Sequence, residues 1–194
     1  MAHPEKDRLR THYATTRDAL DATARKRASS LIRQRLFQHP AWRDAEHILC
    51  YVSFRSEVDT HTILQEGIRF KKKMHVPVFH PLDKEQTPVA ELKRWGDLVA
   101  HEKTGILEPR AEGRVLVDPA TIQLVLVPGT VFDRQGGRIG FGGGYFDRLL
   151  PCMPQARWMG LAFSEQVHHE PLPRETHDIP MHHILTEKED IVIP

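Results

Sequence analysis

The chain has 194 residues and a formal net charge of +1 at pH 7, with 40% hydrophobic and 27% charged residues. This composition is ordinary for a globular protein and excludes an intrinsically disordered chain. The near-neutral charge excludes the global basic field that drives non-specific binding to nucleic acid. A chain of this length is long enough for one sizeable core and short for two, so we expect a single domain over residues 1–194.

The first forty residues carry a helical pattern. Apolar side chains between residues 19 and 36 recur near helical spacing, which places them along one face. His39-Pro40 ends the pattern, because the residue before a proline is disfavoured in the helical region. We therefore expect an N-terminal helical segment that ends near residue 39.

Short apolar runs separated by a helical segment follow this N-terminal segment. Their length and residue types favour strands, and residues 60–70 form the helical segment after the first of them. The predicted strands are residues 48–52, 74–79, 89–95, 122–127, 157–163, 183–186 and 191–193, with the last two interpreted as edge strands. Strands separated by helices need crossover connections, which predicts an α/β fold with an open, mostly parallel sheet flanked by helices.

Two loops follow the clearest predicted strands directly. They are Ser53 to Asp59 and Pro128 to Gly144. Ligands of open α/β sheets bind in the crevice beyond the carboxyl ends of the strands. Both loops are therefore candidate binding segments on geometric grounds.

The second loop is rich in glycine, with six of the twelve glycines of the chain in residues 136–144. Glycine lets backbone N–H groups approach an anion closely and adopts positive φ without a Cβ clash. Arg138 adds a full charge, and residues 145–150 predict a helix start that adds a partial one. The Walker pattern is absent and Tyr145 breaks the G-x-G-x-x-G pattern. A phosphate-binding loop and a flexible hairpin or β-bulge connection are the two interpretations.

The remaining signals concern compartment and metal. Cys50 and Cys152 cannot build a disulfide framework, and free thiols suit a reducing cytosol. Residues 1–10 have no signal-peptide core, and no run of about 18 apolar residues could span a bilayer. We expect a cytoplasmic protein that does not bind membranes. The thirteen histidines lack metal-binding spacing and are interpreted as surface or core residues.

The glycine-rich loop and its flanks carry a family resemblance. Residues 127–133, followed by 137–148, strongly resemble the signature of 5-formyltetrahydrofolate cyclo-ligases. The resemblance extends to Lys6-x-x-Leu9-Arg10 and to residues 51–60, 105–109 and 178–187, effectively the whole chain in the family's order. It implies an enzyme that converts 5-formyltetrahydrofolate and ATP into 5,10-methenyltetrahydrofolate, ADP and phosphate. The formyl oxygen is phosphorylated, N10 of the folate attacks the activated carbon, and phosphate leaves.

The resemblance also implies the site residues. Those for ATP are Lys6, Arg10, Arg138, Gly140, Gly142, Gly143 and Gly144. Those for the folate are Val52, Glu57 and Tyr145, and those for Mg²⁺ are Asp147 and Asp178. Hard Mg²⁺ prefers carboxylates together with phosphate oxygens and water. Without the resemblance, Lys6 and Arg10 form a solvated basic face, Glu57 is a surface glutamate, and the two aspartates begin a helix and a turn.

Three positions depart from the family's usual residues, namely Phe141, Phe146 and Val52. They affect substrate affinity more than the class of reaction. Two alternatives remain, a related ATP-dependent enzyme acting on another formylated or pterin-like compound, and a non-catalytic folate- or nucleotide-binding protein. We expect small-molecule partners only, and a monomer or weak homo-oligomer.

Overall fold

The computed structural model describes residues 3–78, 87–102 and 105–194. In this part of the chain the α-helices are α1 (Pro4–Ala19), α2 (Ala22–Gln38), α3 (Pro40–Asp44), α4 (His61–Arg69) and α5 (Tyr145–Leu149). The predicted N-terminal helical segment is therefore two long helices, because Asp21 accepts hydrogen bonds from the N–H groups of Thr23 and Ala24 and starts a new helix. Helix α2 ends before His39-Pro40, as predicted, and Pro40 then begins α3.

The strands of the described residues form a large sheet and two small ones. They are β1 (His47–Cys50), β2 (Lys73–Pro77), β3 (Val89–Glu91), β4 (Leu98–Ala100), β5 (Leu107–Pro109), β6 (Leu124–Val127), β7 (Val131–Asp133), β8 (Arg138–Ile139), β9 (Arg157–Leu161), β10 (Val167–His168), β11 (His183–Leu185) and β12 (Asp190–Val192). The predicted strand 74–79 corresponds to β2, and its Phe79 lies outside the described residues.

The large sheet has the strand order β12-β11-β9-β6-β1-β2-β3. Its five central strands pair in parallel, and β3 and β12 pair antiparallel at the two edges. The mostly parallel α/β fold is therefore confirmed. The prediction that residues 183–186 form an edge strand is wrong, because β12 folds back and covers β11.

The small sheets and one boundary differ from the prediction. Strands β7, β8 and β10 form one small sheet and β4 and β5 form the other. Each strand of these small sheets has two or three residues, which is too short for an alternating pattern to be visible in the sequence. The predicted strand 89–95 ends at Glu91, and the chain forms a 3₁₀ turn from Trp95 to Asp97.

The core lies on both faces of the large sheet. All four residues of β6 are fully buried, as expected of a parallel strand covered by helices on both sides. Ile32 and Leu36 of α2, Ile63 of α4 and Leu149 of α5 belong to the same apolar cluster. Among the described helices, none combines the length and apolar character needed to cross a membrane.

Candidate active site

The strand order reverses between β1 and β6. From β1 the chain crosses through α4 to β2 on one side, and β6 later enters on the other side of β1. Because the two strands are parallel and Cys50 aligns with Leu126, the loops that follow them begin side by side. We call residues 51–60 the β1 loop and residues 128–144 the β6 loop. Crevices at such reversal points are the usual ligand sites of open α/β sheets.

Helix α1 contacts the glycine-rich part of the β6 loop. Arg10 Nε donates a hydrogen bond to the carbonyl oxygen of Gly140 at 2.8 Å. Gly142 has φ of +97°, and a Cβ there would lie 3.5 Å from the guanidinium carbon of Arg10. Gly144 has φ of +61° and is the N-cap of α5. Glycine at these two positions therefore permits left-handed backbone that other residues rarely adopt.

Arg138 and Asp147 form an ion pair beneath this loop. Arg138 Nη2 lies 2.6 Å from Asp147 Oδ1, with side-chain exposures of 4% and 19%. Arg138 Nη1 also donates to the carbonyl oxygen of Pro128 at 3.4 Å. Its Nε is buried and has no hydrogen-bond partner among the described residues. The residues predicted for phosphate and for metal therefore pair with each other in this state.

Lys6 and Asp178 form a second pair of the same kind. The Lys6 ammonium contacts Asp178 and lies 2.8 Å from Glu175 Oε2. Burial disfavours the charged ammonium, but hydrogen bonds to both carboxylates outweigh it and raise the pKa of Lys6. Burial likewise opposes ionisation of Asp178, yet Lys6 and the Glu175 N–H keep the pKa of Asp178 below its ordinary value. Sequence reasoning missed Glu175, whose signal was its position three residues before Asp178.

The β1 loop is closed by reciprocal hydrogen bonds and carries Glu57. The Ser53 N–H donates to Thr60 Oγ1 at 2.8 Å, and the Thr60 N–H donates to Ser53 Oγ at 3.1 Å. The Glu57 carboxylate accepts from the Phe54 N–H at 2.8 Å. Burial raises the pKa of Glu57 to about 7, against the opposing effects of that hydrogen bond and of Arg17. Val52 is buried at the start of the loop, 8% exposed.

Tyr145 lies at the start of α5 with its hydroxyl group engaged by the backbone. The hydroxyl donates to the carbonyl oxygens of Val78 and Pro88, each at 3.3 Å. Burial raises the pKa of the Tyr145 phenol. Its ring meets that of Phe146 edge to face, with centroids 5.7 Å apart. The Tyr145 hydroxyl therefore connects the start of α5 to the backbone of residues 78 and 88, and its ring contacts Phe146.

The structure also clusters histidines with an acid at the opposite end of the sheet. His39 Nε2 and His183 Nδ1 lie 3.2 Å and 3.1 Å from the Asp190 carboxylate. His39 Nδ1 accepts a hydrogen bond from the Ala41 N–H, so its Nε2 carries the proton that Asp190 accepts. A metal-bound histidine normally donates the N–H of its second ring nitrogen. His39 has the other tautomer, and the cluster joins α3 to the sheet edge.

Comparisons with known proteins identify similar chains along the whole length. The model of the 5-formyltetrahydrofolate cyclo-ligase family matches residues 2–187. A 5-formyltetrahydrofolate cyclo-ligase from Haemophilus influenzae is 29% identical over 189 residues, which cover 95% of this chain and 99% of the relative. One from Mus musculus is 28% identical and the match covers 92% of each chain.

Solved structures agree with the sequence relatives. The NMR structure of Aquifex aeolicus 5,10-methenyltetrahydrofolate synthetase matches with a TM-score of 0.84 and 30% identity, covering 97% of this chain and 92% of that one. The structure of the 5,10-methenyltetrahydrofolate synthetase from Mycoplasma pneumoniae has a TM-score of 0.75 at 18% identity and covers 94% of this chain and 99% of that one. The second match supports the fold.

Proposed function

The chain belongs to the 5-formyltetrahydrofolate cyclo-ligase family, and from that membership we propose that it is an ATP-dependent ligase acting on 5-formyltetrahydrofolate. The products are 5,10-methenyltetrahydrofolate, ADP and phosphate. The observation that carries the proposal is the glycine-rich β6 loop, which begins beside the β1 loop at the strand reversal and is contacted by Arg10. Backbone N–H groups and cations beside such a loop are suited to a triphosphate.

The reaction needs a phosphoryl transfer because a formamide oxygen is a very poor leaving group. The formyl oxygen attacks the γ-phosphorus of ATP, and the bond between γ-phosphorus and the bridging oxygen breaks to release ADP. N10 then attacks the activated carbon and loses its proton to solvent, the carbon–oxygen bond breaks, and phosphate leaves with the transferred oxygen. Positioning and charge stabilisation supply most of the catalysis in such transfers.

The phosphates of ATP are the proposed ligands of Lys6, Arg10 and Arg138, together with backbone N–H groups of residues 140–144. All three of these cations pair with carboxylates: the two buried ones are Arg138 with Asp147 and Lys6 with Asp178, and Arg10 pairs with the exposed Asp7. Phosphate oxygens, like carboxylate oxygens, form charge-assisted hydrogen bonds with such cations, and the triphosphate offers several of them to compete with the carboxylates. Binding of ATP is therefore proposed to exchange the partners of both buried pairs.

The same exchange would release two carboxylates for Mg²⁺. Asp147 and Asp178 offer hard oxygen ligands of the type that Mg²⁺ prefers, and each lies next to a proposed phosphate-binding cation. The donor chemistry of these residues therefore fits the ion. When bound, Mg²⁺ neutralises charge on the phosphate oxygens. Asp147 and Asp178 would hold the ion, and their release from Arg138 and Lys6 would leave both cations free to donate to phosphate.

The folate is the proposed ligand of the β1 loop. The Glu57 carboxylate can accept hydrogen bonds from pterin N–H groups, and Val52 offers apolar surface beside it. The Tyr145 ring can stack on a flat heterocycle while its hydroxyl stays on the backbone. Phe141, which is 62% exposed on the β6 loop, is a further apolar surface at the site.

The test is to mix the purified chain with 5-formyltetrahydrofolate, ATP and Mg²⁺ and to follow the absorbance of methenyltetrahydrofolate. We expect product to form in step with ADP, and to vanish when ATP or Mg²⁺ is omitted. Folate and ATP binding without turnover would favour the non-catalytic binding protein. ATP hydrolysis driven only by another formylated compound would favour the related enzyme.

The cellular location and the oligomeric state are two further proposals. The described cysteines are free, Cys50 buried and Cys152 exposed, which suits the proposed cytoplasmic location. A monomer or weak homo-oligomer is also proposed. Light scattering over a range of protein concentrations tests the second proposal.

A further inference from the structure

Arg17 of α1 lies between the two loops of the proposed site. Its Nε donates a hydrogen bond to Ser56 Oγ of the β1 loop at 3.0 Å. Its guanidinium carbon lies 5.7 Å from the centroid of the Phe141 ring in the β6 loop. One buried side chain, 3% exposed, therefore contacts both loops.

Packing alone does not explain a cation at this position. Arg17 Nη1 is buried and has no hydrogen-bond partner among the described residues. The nearest carboxylate, Asp18, lies 3.9 Å from Nη2 and its side chain is 61% exposed. A buried donor without a partner costs stability, and an apolar side chain of similar size would avoid that cost.

Glu57 is the group on which this charge acts. The carboxyl group lies in the same loop as Ser56, and the charge of Arg17 favours its ionised form against the larger effect of burial. The other titratable groups nearby are Asp18 of α1, which accepts a hydrogen bond from Ser56, and Tyr51, which begins the β1 loop and interacts with Glu57. Burial raises the pKa of Tyr51, so its phenol stays neutral. Of these groups, Arg17 carries the positive charge.

We propose that Arg17 is a positioning residue that holds the β1 loop beside the β6 loop and so places the Glu57 carboxyl group where it can accept hydrogen bonds from the folate. The inference rests on the proposed function, because it assigns Arg17 to the folate side of that site. Arg17 acts through Ser56, Glu57 and Phe141 and does not itself touch the substrate, since its free Nη1 is buried.

The test is calorimetric titration of the full chain with 5-formyltetrahydrofolate between pH 5.5 and 9, for the parent, Arg17→Met and Arg17→Lys. The parent should lose affinity as the pH falls through about 7, where Glu57 takes up a proton. Arg17→Met should move this midpoint upward by about one pH unit, because an opposite charge nearby lowers a carboxyl pKa by about 1–3 units. Arg17→Lys keeps the positive charge and should therefore return the midpoint most of the way to its parental value.

The outcomes separate the inference from the function. An equal loss of affinity at every pH in Arg17→Met, with an unmoved midpoint, is the result of a merely structural residue and overturns the inference alone. A parent that binds no folate at any pH overturns the proposed function and the inference with it.

A second pair of variants covers the case in which Arg17→Met does not fold. Ser56→Ala removes the hydrogen bond that Ser56 accepts from Arg17 and the one that it donates to Asp18, and it should weaken folate binding about three- to ten-fold. Phe141→Leu removes the aromatic contact with Arg17 and should weaken folate binding as well, because Phe141 is also a proposed apolar surface of the folate site. Parental folate affinity in both variants would overturn the inference.

Discussion

At the scale of single residues, the two buried cations of the proposed site form ion pairs, Lys6 with Asp178 and Arg138 with Asp147. The pKa of Lys6 is raised above 10.5, so its contribution to stability is present below that pH and is lost as the pH rises through the folded-state pKa. The pKa of Asp178 is lowered below 3.8, so its contribution is present above that pH and is lost as the pH falls through the folded-state pKa. A change of protonation near neutral pH therefore does not open the pair of Lys6 and Asp178, and we propose that a competing ligand opens it.

Asp147→Asn should lose turnover by about 100-fold or more, because it removes a proposed metal ligand. It should also lower the free energy of unfolding by roughly 1–3 kcal/mol, since it leaves the buried Arg138 cation without its carboxylate. The same substitution of an aspartate that begins a helix without such an ion pair would lower the free energy of unfolding by only about 0.3–1 kcal/mol. Turnover against Mg²⁺ concentration and urea unfolding are the measurements.

Asp118→Asn is the matched control for this change. Asp118 caps a 3₁₀ turn by accepting from the Ala120 N–H, and asparagine caps about as well as aspartate. Its turnover and stability should stay parental. Near-normal turnover of Asp147→Asn at low Mg²⁺ would remove Asp147 from the metal site.

Glu57→Gln should stabilise the protein while weakening folate binding. With a pKa raised from 4.5 to about 7, the folded state binds more protons than the unfolded chain between these values, so stability falls as the pH rises through this window. A neutral amide avoids that loss, and at pH 8 we expect a gain of roughly 1–3 kcal/mol. Folate affinity should fall about ten-fold because the amide is a weaker acceptor.

The measurements for Glu57→Gln are urea unfolding at pH 5 and pH 8 and separate titrations with ATP and folate. The stabilisation should be present at pH 8 and nearly absent at pH 5. ATP affinity without folate should not change. Parental folate affinity would remove Glu57 from the proposed folate site.

At the scale of the element, the glycine-rich part of the β6 loop combines left-handed backbone with a clamp from α1. Gly142→Ala places a Cβ near the Arg10 guanidinium at a φ of +97°, which costs an L-residue about 1–2 kcal/mol. The loop should shift away from α1, and the KM for ATP should rise about ten-fold while folate affinity stays parental. Steady-state kinetics and folate titration measure the two effects.

Two other glycines separate strain from site geometry. Gly113 has φ of +74°, and an added Cβ there would have no atom within 4 Å. Gly143, which lies in the β6 loop beside Gly142, has no such contact either. Gly113→Ala should cost similar stability with parental kinetics, whereas Gly143→Ala should be mild in both respects. Equal effects of Gly113→Ala and Gly142→Ala on the KM for ATP would show that strain alone is responsible.

At the scale of the whole molecule, the proposed site depends on distant parts of one chain. Lys6 of α1 pairs with Asp178, 172 positions later, and one apolar cluster includes residues from α2 to β12. Both features predict a single cooperative unit. Circular dichroism and tryptophan fluorescence should therefore give coincident urea transitions. Separate midpoints for Trp42 and Trp158, measured in single-tryptophan variants, would indicate two domains.

Ligand binding should stabilise this unit as a whole. ATP with Mg²⁺ at about 100 times its dissociation constant adds about 2.7 kcal/mol, which raises the midpoint of a chain of this size by roughly 5–10 °C. The same addition to Arg138→Ala should give a much smaller rise, because that variant lacks a proposed phosphate contact. An equal rise would contradict the assignment of Arg138 to ATP.

The local sequence was sufficient for the long strands and for the β6 loop. Strand β6 lies within the predicted range 122–127 because a parallel strand covered on both faces is a continuous apolar run. The glycines at 142 and 144 predicted unusual backbone because few other residues adopt positive φ. Both signals lie within a few residues of the feature that they predict.

Tertiary structure decided the strand order, the interior position of β11 and the partners of the charges. The pairing of Lys6 with Asp178 and the burial of Arg17 against Ser56 and Phe141 join segments far apart in the chain. No local periodicity encodes such contacts, and a solvated lysine or arginine has the same sequence pattern as a buried one. Packing of α1 across the carboxyl end of the sheet determined which charges were desolvated, and desolvation determined which of them needed a partner.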